Sequence, residues 1–324
     1  MEIAAAGAVR PLVLIAIAIA ALLLAGLAAG AAAARGVAED YPPTGDFIEI
    51  DGVRLHYMTT GPEDGPPVLV LHGASGNLHE PRSALEDDLS GYRAIWLDRP
   101  GLGWSERPSG DWDPAREAAL INAFLDALGH ERIAVMGHSW GAAISLRLAM
   151  DHPERVGAIV LIAPAIRAWV GEAALYNKAT HWPVIGTVIT RIIAPTIGRS
   201  RIEDGVKSAF SPEPVPDDYV ERARLPLILR ASNWKANAAD MAEVNTHLAA
   251  QEGRYDEITA PAIILAGPPD TVVATHRHAE PVAETMPSAE LRLIEEAGHN
   301  LHHHHGEAVR AALDAVAAEA GLTP

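Results

Sequence analysis

The sequence predicts an α/β fold with a mostly parallel central sheet and helices on both faces. A helical insertion interrupts it, and an apolar helix long enough to cross a membrane precedes it. Three observations lead there. Short, wholly apolar runs recur along the chain, as expected for strands buried on both faces. Helix-period segments alternate with those runs, the pattern of a parallel sheet covered on each side. One long stretch between two apolar runs has no strand pattern at all.

The N-terminal element comes first. Leu12 to Ala34 reads LVLIAIAIAALLLAGLAAGAAAA, with no charged residue, and is bracketed by Arg10 and Arg35. Roughly 20 apolar residues suffice to span a bilayer as a helix. Two readings stay open for residues 1–35: a retained anchor, or a signal segment cleaved at the small residues AGAAAA. The length of the apolar run favours the anchor. The amino terminus beside Arg10 sets the orientation with the N-terminus inside, which places the large domain outside the cytoplasm, or secretes it if the segment is cleaved.

Next, GVAEDYPPTGD is a linker, and FIEIDGVRLHYMTTG alternates apolar and polar residues around Asp51-Gly52, a β-hairpin signature. PPVLVLHG, RAIWLD, RIAVMG, RVGAIVLIAPA, PAIILAG and AELRLIE are the apolar strand runs. DPAREAALINAFLDALG, SWGAAISLRLAMDHP, THRHAEPVAETMP and HGEAVRAALDAVAAEAG are the helix-like segments. The core therefore divides into residues 36–165 and 257–324, with residues 166–256 as an inserted helical cap. Inside the cap, PVIGTVITRII puts Val184, Val188 and Ile192 beside Ile185, Ile189 and Ile193, opposite Thr187, Thr190 and Arg191. That amphipathic face is expected to pack on the core; the alternatives are an apolar substrate tunnel or contact with the bilayer.

Composition narrows the function. Lys and Arg number 25 against 42 Asp and Glu, a formal net charge of −17, which disfavours nucleic acid as a partner. The absence of cysteine excludes disulfides, thiolate metal sites and a cysteine nucleophile. The oligomeric state is left open.

The chemistry concentrates at strand ends. Gly137-His138-Ser139-Trp140-Gly141 follows a strand run and opens a helix run. A serine there sits on a tight turn that needs small neighbours, with the positive end of the next helix beneath it. The structural alternative is a plain helix N-cap. A serine hydroxyl needs a base, and the base needs an orienting carboxylate. Asp270 ends PAIILAGPPD and His299 ends LRLIEEAGH, so both fall just beyond strands, in the order Ser, Asp, His. His72-Gly73-Ala74 follows PPVLVL; the amides of Ala74 and Trp140 are the natural pair of oxyanion donors. Gly73 allows close approach, and His72 is expected to brace the loop. His302-His303-His304-His305 is read as a partly exposed helix entry without a dedicated metal.

With HGASGN at 72–77, DRPGLGWS at 98–105, GHSWG at 137–141, GPPD at 267–270 and GHNL at 298–301, the chain resembles the α/β-hydrolase superfamily in its capped branch. The resemblance runs from about Phe47 to the C-terminus. It implies Ser139 as nucleophile, His299 as general base and then acid, Asp270 as the orienting acid, Ala74 and Trp140 as the oxyanion hole, and Asp98 and Arg99 as scaffold. It implies no cofactor. Members that open epoxides or remove halide carry aspartate where Ser139 stands, which disfavours those reactions. The expected activity is hydrolysis of a small-molecule carboxylic ester, on apolar or lipid-like substrates. Carbon–carbon hydrolase, cofactor-free haloperoxidase and non-catalytic binding readings share the same motifs.

Overall fold

A computed structural model describes the backbone of residues 2–169, 171 and 173–324, and the side chains of these from Pro11 onward. The side chain of Arg10 and residues 170 and 172 of the insertion lie outside that description.

Eight strands form one sheet: β1 Asp46–Ile50, β2 Val53–Thr60, β3 Pro67–Leu71, β4 Arg93–Leu97, β5 Ile133–His138, β6 Val156–Ile162, β7 Ala262–Ala266 and β8 Ala289–Leu293. Their order is β1-β2-β4-β3-β5-β6-β7-β8. The β1–β2 and β2–β4 pairs are antiparallel, and every pair from β4 to β8 is parallel. The hairpin turns at Asp51 and Gly52 with φ of 51° and 76°, the left-handed pair that matches the twist of two-residue hairpins.

The central strands are apolar throughout because both faces are covered. β5, β6 and β7 are buried at every position. Alternate residues of one strand feed two separate cores: Leu69, Leu71 and Val135 pack on one face, Val68, Val70 and Met136 on the other. The first face is closed by α3 (Pro114–Ala127) and α4 (Trp140–Asp151). The second is closed by α2 (His79–Leu85) and a helix over Gly306–Ala320. Asp113 caps α3 by accepting from the Arg116 amide at 2.8 Å, with Pro114 at the first helical position.

The insertion between β6 and β7 holds short helices, the longest being Arg199–Phe210 and Ala231–Ala242, and no strand among the described residues. It is tied to the core by buried charge. The Arg99 guanidinium donates to Glu117 at 2.7 Å and to Asp240 of the insertion at 3.3 Å, and Arg107 donates to Asp240 at 2.7 Å. Burial opposes the charge on Arg99, but the two carboxylates outweigh it and raise its pKa. Asn237 adds an acceptor for the Ser75 amide at 2.6 Å.

The segment 184–193 departs from the expected amphipathic α-helix. Its first turn, Ile185–Val188, is α-helical, and Ile189–Ile193 widens into a π-helical turn. Thr190, placed on the polar side by periodicity, is buried and donates to the Gly186 carbonyl at 2.7 Å. Val184, Ile185 and Ile193 are exposed instead of packed on the core. The π turn shifts Thr190 and Ile193 around the axis from where a strict 3.6-residue wheel puts them, while Val184, at φ 63°, precedes the helix and is not on the wheel.

The N-terminal helix α1 runs from Glu2 to Asp40 and carries one apolar stretch, Pro11–Asp40, long enough to cross a membrane.

Candidate active site

Ser139 stands between β5 and α4 with φ 52° and ψ −119°, a conformation that costs a non-glycine residue about 1–3 kcal/mol. Its neighbours must be small for steric reasons. A Cβ at Gly137 would lie 2.5 Å from Ser145 Oγ and 2.6 Å from the Gly141 carbonyl oxygen, and one at Gly141 would collide with the Leu71 carbonyl. The turn closes through Ser139, whose amide donates to the Ile162 carbonyl at 2.9 Å and whose own carbonyl accepts from Ala142 and Ala165. The Ser139 side chain is nearly buried, and its hydroxyl makes no hydrogen bond among the described residues.

His299 and Asp270 meet although 29 residues separate them: Nδ1 of the ring lies 2.8 Å from Oδ2 of the carboxylate. Both are buried. The other carboxylate oxygen of Asp270 accepts from the amides of Val272 and Val273 at 2.8 and 2.9 Å. Two backbone donors and one imidazole therefore fix the carboxylate plane. With Nδ1 engaged, Nε2 of His299 is the ring nitrogen left for other partners. Ser139 and His299 border the same cavity of about 550 Å³, together with Gly73 and Ala74.

The loop after β3 passes close to the serine: a Cβ at Gly73 would lie 3.0 Å from the Ser139 Cβ. Ala74, the next residue, lines the same cavity as Ser139. Trp140 opens α4, where the first amides have no partner within the helix. His72 points away from the serine. Its Nδ1 lies 2.8 Å from the Gly73 carbonyl oxygen, and its Nε2 accepts from the Arg99 amide at 3.0 Å. Burial, reinforced by the Arg99 charge, lowers its pKa to about 4, so the ring is neutral at pH 7. Asp98 accepts from His56, Leu78 and Trp104 at 2.7 Å each and organises the DRPGLGWS turn.

The four consecutive histidines lead into the helix over Gly306–Ala320 and are partly exposed, with His304 exposed and His305 at the helix N-cap. The first two lie inside a 3₁₀ turn over Leu301–His303, where His302 is buried and His303 mostly so. The Nε2 atoms of both lie 2.9 and 3.0 Å from one oxygen of Glu80, a residue not anticipated from sequence. Glu80 is buried in α2, borders the cavity and accepts from the Tyr219 hydroxyl at 3.3 Å. Burial raises its carboxyl, but the rings of His302, His303 and His138 outweigh burial and hold it well below the usual carboxylate range. The candidate ligand atoms of Glu80, His302 and His303 lie within 4.8 Å of one another, so a metal ion would have to replace the two hydrogen bonds already made there. No local pattern joins Glu80 to His302, which lies 222 residues further along the chain. His304 and His305 are spent on Pro214 and Glu213.

His138 links this cluster to the site. Its ring centroid is 4.9 Å from that of His299 and 4.5 Å from that of His302, and its Nε2 lies 3.2 Å from the His299 carbonyl oxygen. Burial, with the neighbouring rings, pushes its pKa well below the imidazole range, so it acts as a neutral donor to the loop that carries His299.

A serine on a strained elbow, a carboxylate-oriented imidazole and a preceding loop at the carboxyl ends of parallel strands decide the family. The family model for the alpha/beta hydrolase fold matches residues 66–305. The chain belongs to that family. Among curated proteins, it is 32% identical over 126 residues to the dihydrolipoyllysine-residue acetyltransferase component of the acetoin cleaving system of Cupriavidus necator, covering 39% of this chain and 33% of that one. It is 31% identical to epoxide hydrolase 2 of Caenorhabditis elegans (36% and 33% covered) and 30% identical to a haloalkane dehalogenase of Mycolicibacterium paratuberculosis (38% and 44% covered). The chain thus spans between about a third and under half of the length of these relatives. A hydrolase from Pseudomonas aeruginosa PA01 superposes with TM-score 0.68 at 23% identity, over 84% of this chain and 97% of that one. The enol-lactonase from Burkholderia xenovorans LB400 superposes with TM-score 0.67 at 19% identity, over 84% and 100%. At those identities the superpositions speak to the fold alone.

Proposed function

We propose that the protein is a serine hydrolase that cleaves carboxylic esters through an acyl-enzyme, held at a membrane by α1, with its large domain outside the cytoplasm. Ser139 Oγ attacks the carbonyl carbon while His299 Nε2 takes its proton. The amides of Ala74 and Trp140 receive the oxyanion, worth several kcal/mol where water is excluded. His299 then protonates the leaving alkoxide, the alcohol departs, and water deprotonated by the same ring releases the acid and restores Ser139. Asp270 holds the Nδ1–H tautomer, so that Nε2 is basic when Ser139 attacks. No cofactor enters the sequence of steps.

The observation that carries this reading is the Nδ1–Oδ2 contact of 2.8 Å between His299 and Asp270 beside a serine held at φ 52°. Serine, not aspartate, at the elbow favours ester over epoxide or haloalkane chemistry. The test is turnover of a short p-nitrophenyl ester. Ser139→Ala is expected to lower kcat by about three orders of magnitude or more. Near-full activity in that variant removes Ser139 from the mechanism.

A further inference from the structure

α1 is not a loose tether. Gly26 sits against Ile192, where a Cβ would be 3.1 Å from two side-chain carbons, and a Cβ at Gly30 would collide with the Arg191 carbonyl. Two small residues four apart thus let the helix backbone touch the π turn of the insertion, a close-packing device of membrane helices. Further along, Val37 and Tyr41 form a small core with Leu227 and Trp104. Tyr41 also hydrogen-bonds Glu221, and its carbonyl accepts from Trp104 Nε1 at 3.1 Å. The apolar span and the insertion are therefore docked to each other.

The insertion surface beside α1 is unusual for one facing water. Outside α1, the large exposed apolar residues among those described are Trp169, Val272, Leu293 and seven within 175–197: Leu175, Tyr176, Trp182, Val184, Ile185, Ile193 and Ile197. Val184 is 74% exposed and Ile197 60%, so their burial is not completed within the protein. From Ala173 to Ile202 the chain carries Lys178, Arg191, Arg199 and Arg201 and not one carboxylate, although the whole chain has net charge −17. Aliphatic and aromatic residues with interspersed cations are the composition of a surface lying at an anionic lipid interface. The same stretch forms a wall of the cavity: Tyr176, Asn177, Gly198, Arg201 and Ile202 border it, in common with Ser139.

We infer that this face of the insertion is seated in the headgroup–acyl boundary of an anionic bilayer, next to the α1 span, and that the cavity draws a lipid ester from that bilayer. The substrate half deepens the ester-hydrolase reading and rests on it; the seating half does not. The docked α1 fixes which side of the molecule meets the lipid. Arg191 and Arg201 meet the phosphates, Arg199 being paired with Glu221 at 3.0 Å, and the isoleucines and Trp182 enter the acyl boundary. A cavity wall built from that same stretch shortens the path of an acyl chain to Ser139.

The chain has no cysteine, so single cysteines label uniquely. Full-length Val184→Cys and, as a remote control, Leu293→Cys carry an environment-sensitive fluorophore in phosphatidylcholine vesicles with and without phosphatidylglycerol. The label at 184 is expected to shift blue and to be quenched by acyl-chain quenchers, more strongly with phosphatidylglycerol. The label at 293 is expected to do neither. Equal behaviour of the two labels, or indifference to phosphatidylglycerol, overturns the seating. For the substrate half, Ile193→Glu with Ile197→Glu is expected to keep turnover of a short soluble ester, which also reports folding. It is expected to lose about tenfold or more on a long-chain ester in vesicles. Equal loss on both esters overturns the lipid-substrate claim. Wild-type protein that turns over neither ester refutes the hydrolase reading and the substrate half together, while the labels still decide the seating.

Discussion

Replacing Asp270 by asparagine changes one atom and separates the orienting role from everything else at the site. In the wild type, Oδ1 of Asp270 accepts from the Val272 and Val273 amides, and Oδ2 faces His299 Nδ1 at 2.8 Å. An asparagine has one oxygen and one NH₂. Turning the NH₂ toward the two amides would forfeit both backbone hydrogen bonds, about 2 kcal/mol for the pair before donor–donor repulsion. The oxygen therefore stays on the amides and the NH₂ faces His299. It donates to Nδ1, which drives the ring proton to Nε2, where it points at Ser139. A ring protonated at Nε2 cannot take the serine proton. The wrong tautomer in a Ser–His–Asp array costs about 10⁴ in kcat, near 5 kcal/mol. The assay is steady-state hydrolysis of a short p-nitrophenyl ester by Asp270→Asn, with thermal melting to show that the fold survives. A kcat within tenfold of wild type would refute the reasoning, because it would mean that Asp270 does not set the tautomer of His299.

Three further outcomes are expected. Gly137→Ala places a methyl 2.5 Å from Ser145 Oγ and against the Gly141 backbone, so it should destabilise by about 1–3 kcal/mol or more and lower the melting temperature; an unchanged melting curve contradicts the packing described at the elbow. Acidification should weaken the fold. His72 is held neutral down to about pH 4 when folded but protonates near 6.5 when unfolded, so its contribution is intact above pH 6.5 and is lost as pH falls toward 4. That amounts to about 3 kcal/mol for this ring, read as falling urea midpoints between pH 7 and pH 4.5. His278, lowered to about 4 mainly by burial, acts in the same direction. Glu80→Ala leaves the Nε2 groups of His302 and His303 without their acceptor, at about 1–3 kcal/mol for each group stranded; urea denaturation measures it, and wild-type stability would contradict the cluster.

The parts of this molecule legible in its sequence are those set by local pattern. Strands β3 to β7 are apolar runs because both faces are covered, and Asp51-Gly52 marks the hairpin because its two positive φ values suit that pair. The positions of Ser139, Asp270 and His299 are also local, since each follows a strand and parallel strands present their carboxyl ends on one edge. What stayed hidden depends on distant partners. Helix α2 has seven residues, too short to show a period, and Glu80 within it gains meaning only from His302 and His303. The burial of Thr190 follows from a π turn pressed against α1, and Val184, at φ 63°, lies outside the helix altogether; no helical wheel contains either feature. The contact of α1 with the insertion joins residues more than 150 positions apart, so nothing near Gly26 or Gly30 announces it.

The central claim is that Ser139 is an activated nucleophile, and a fluorophosphonate probe tests it most directly. Incubation of the full chain followed by peptide mass spectrometry should find one phosphonyl adduct on Ser139, absent from Ser139→Ala and strongly slowed in Asp270→Asn. Probe bound at another residue, or no adduct on folded protein, would contradict the account.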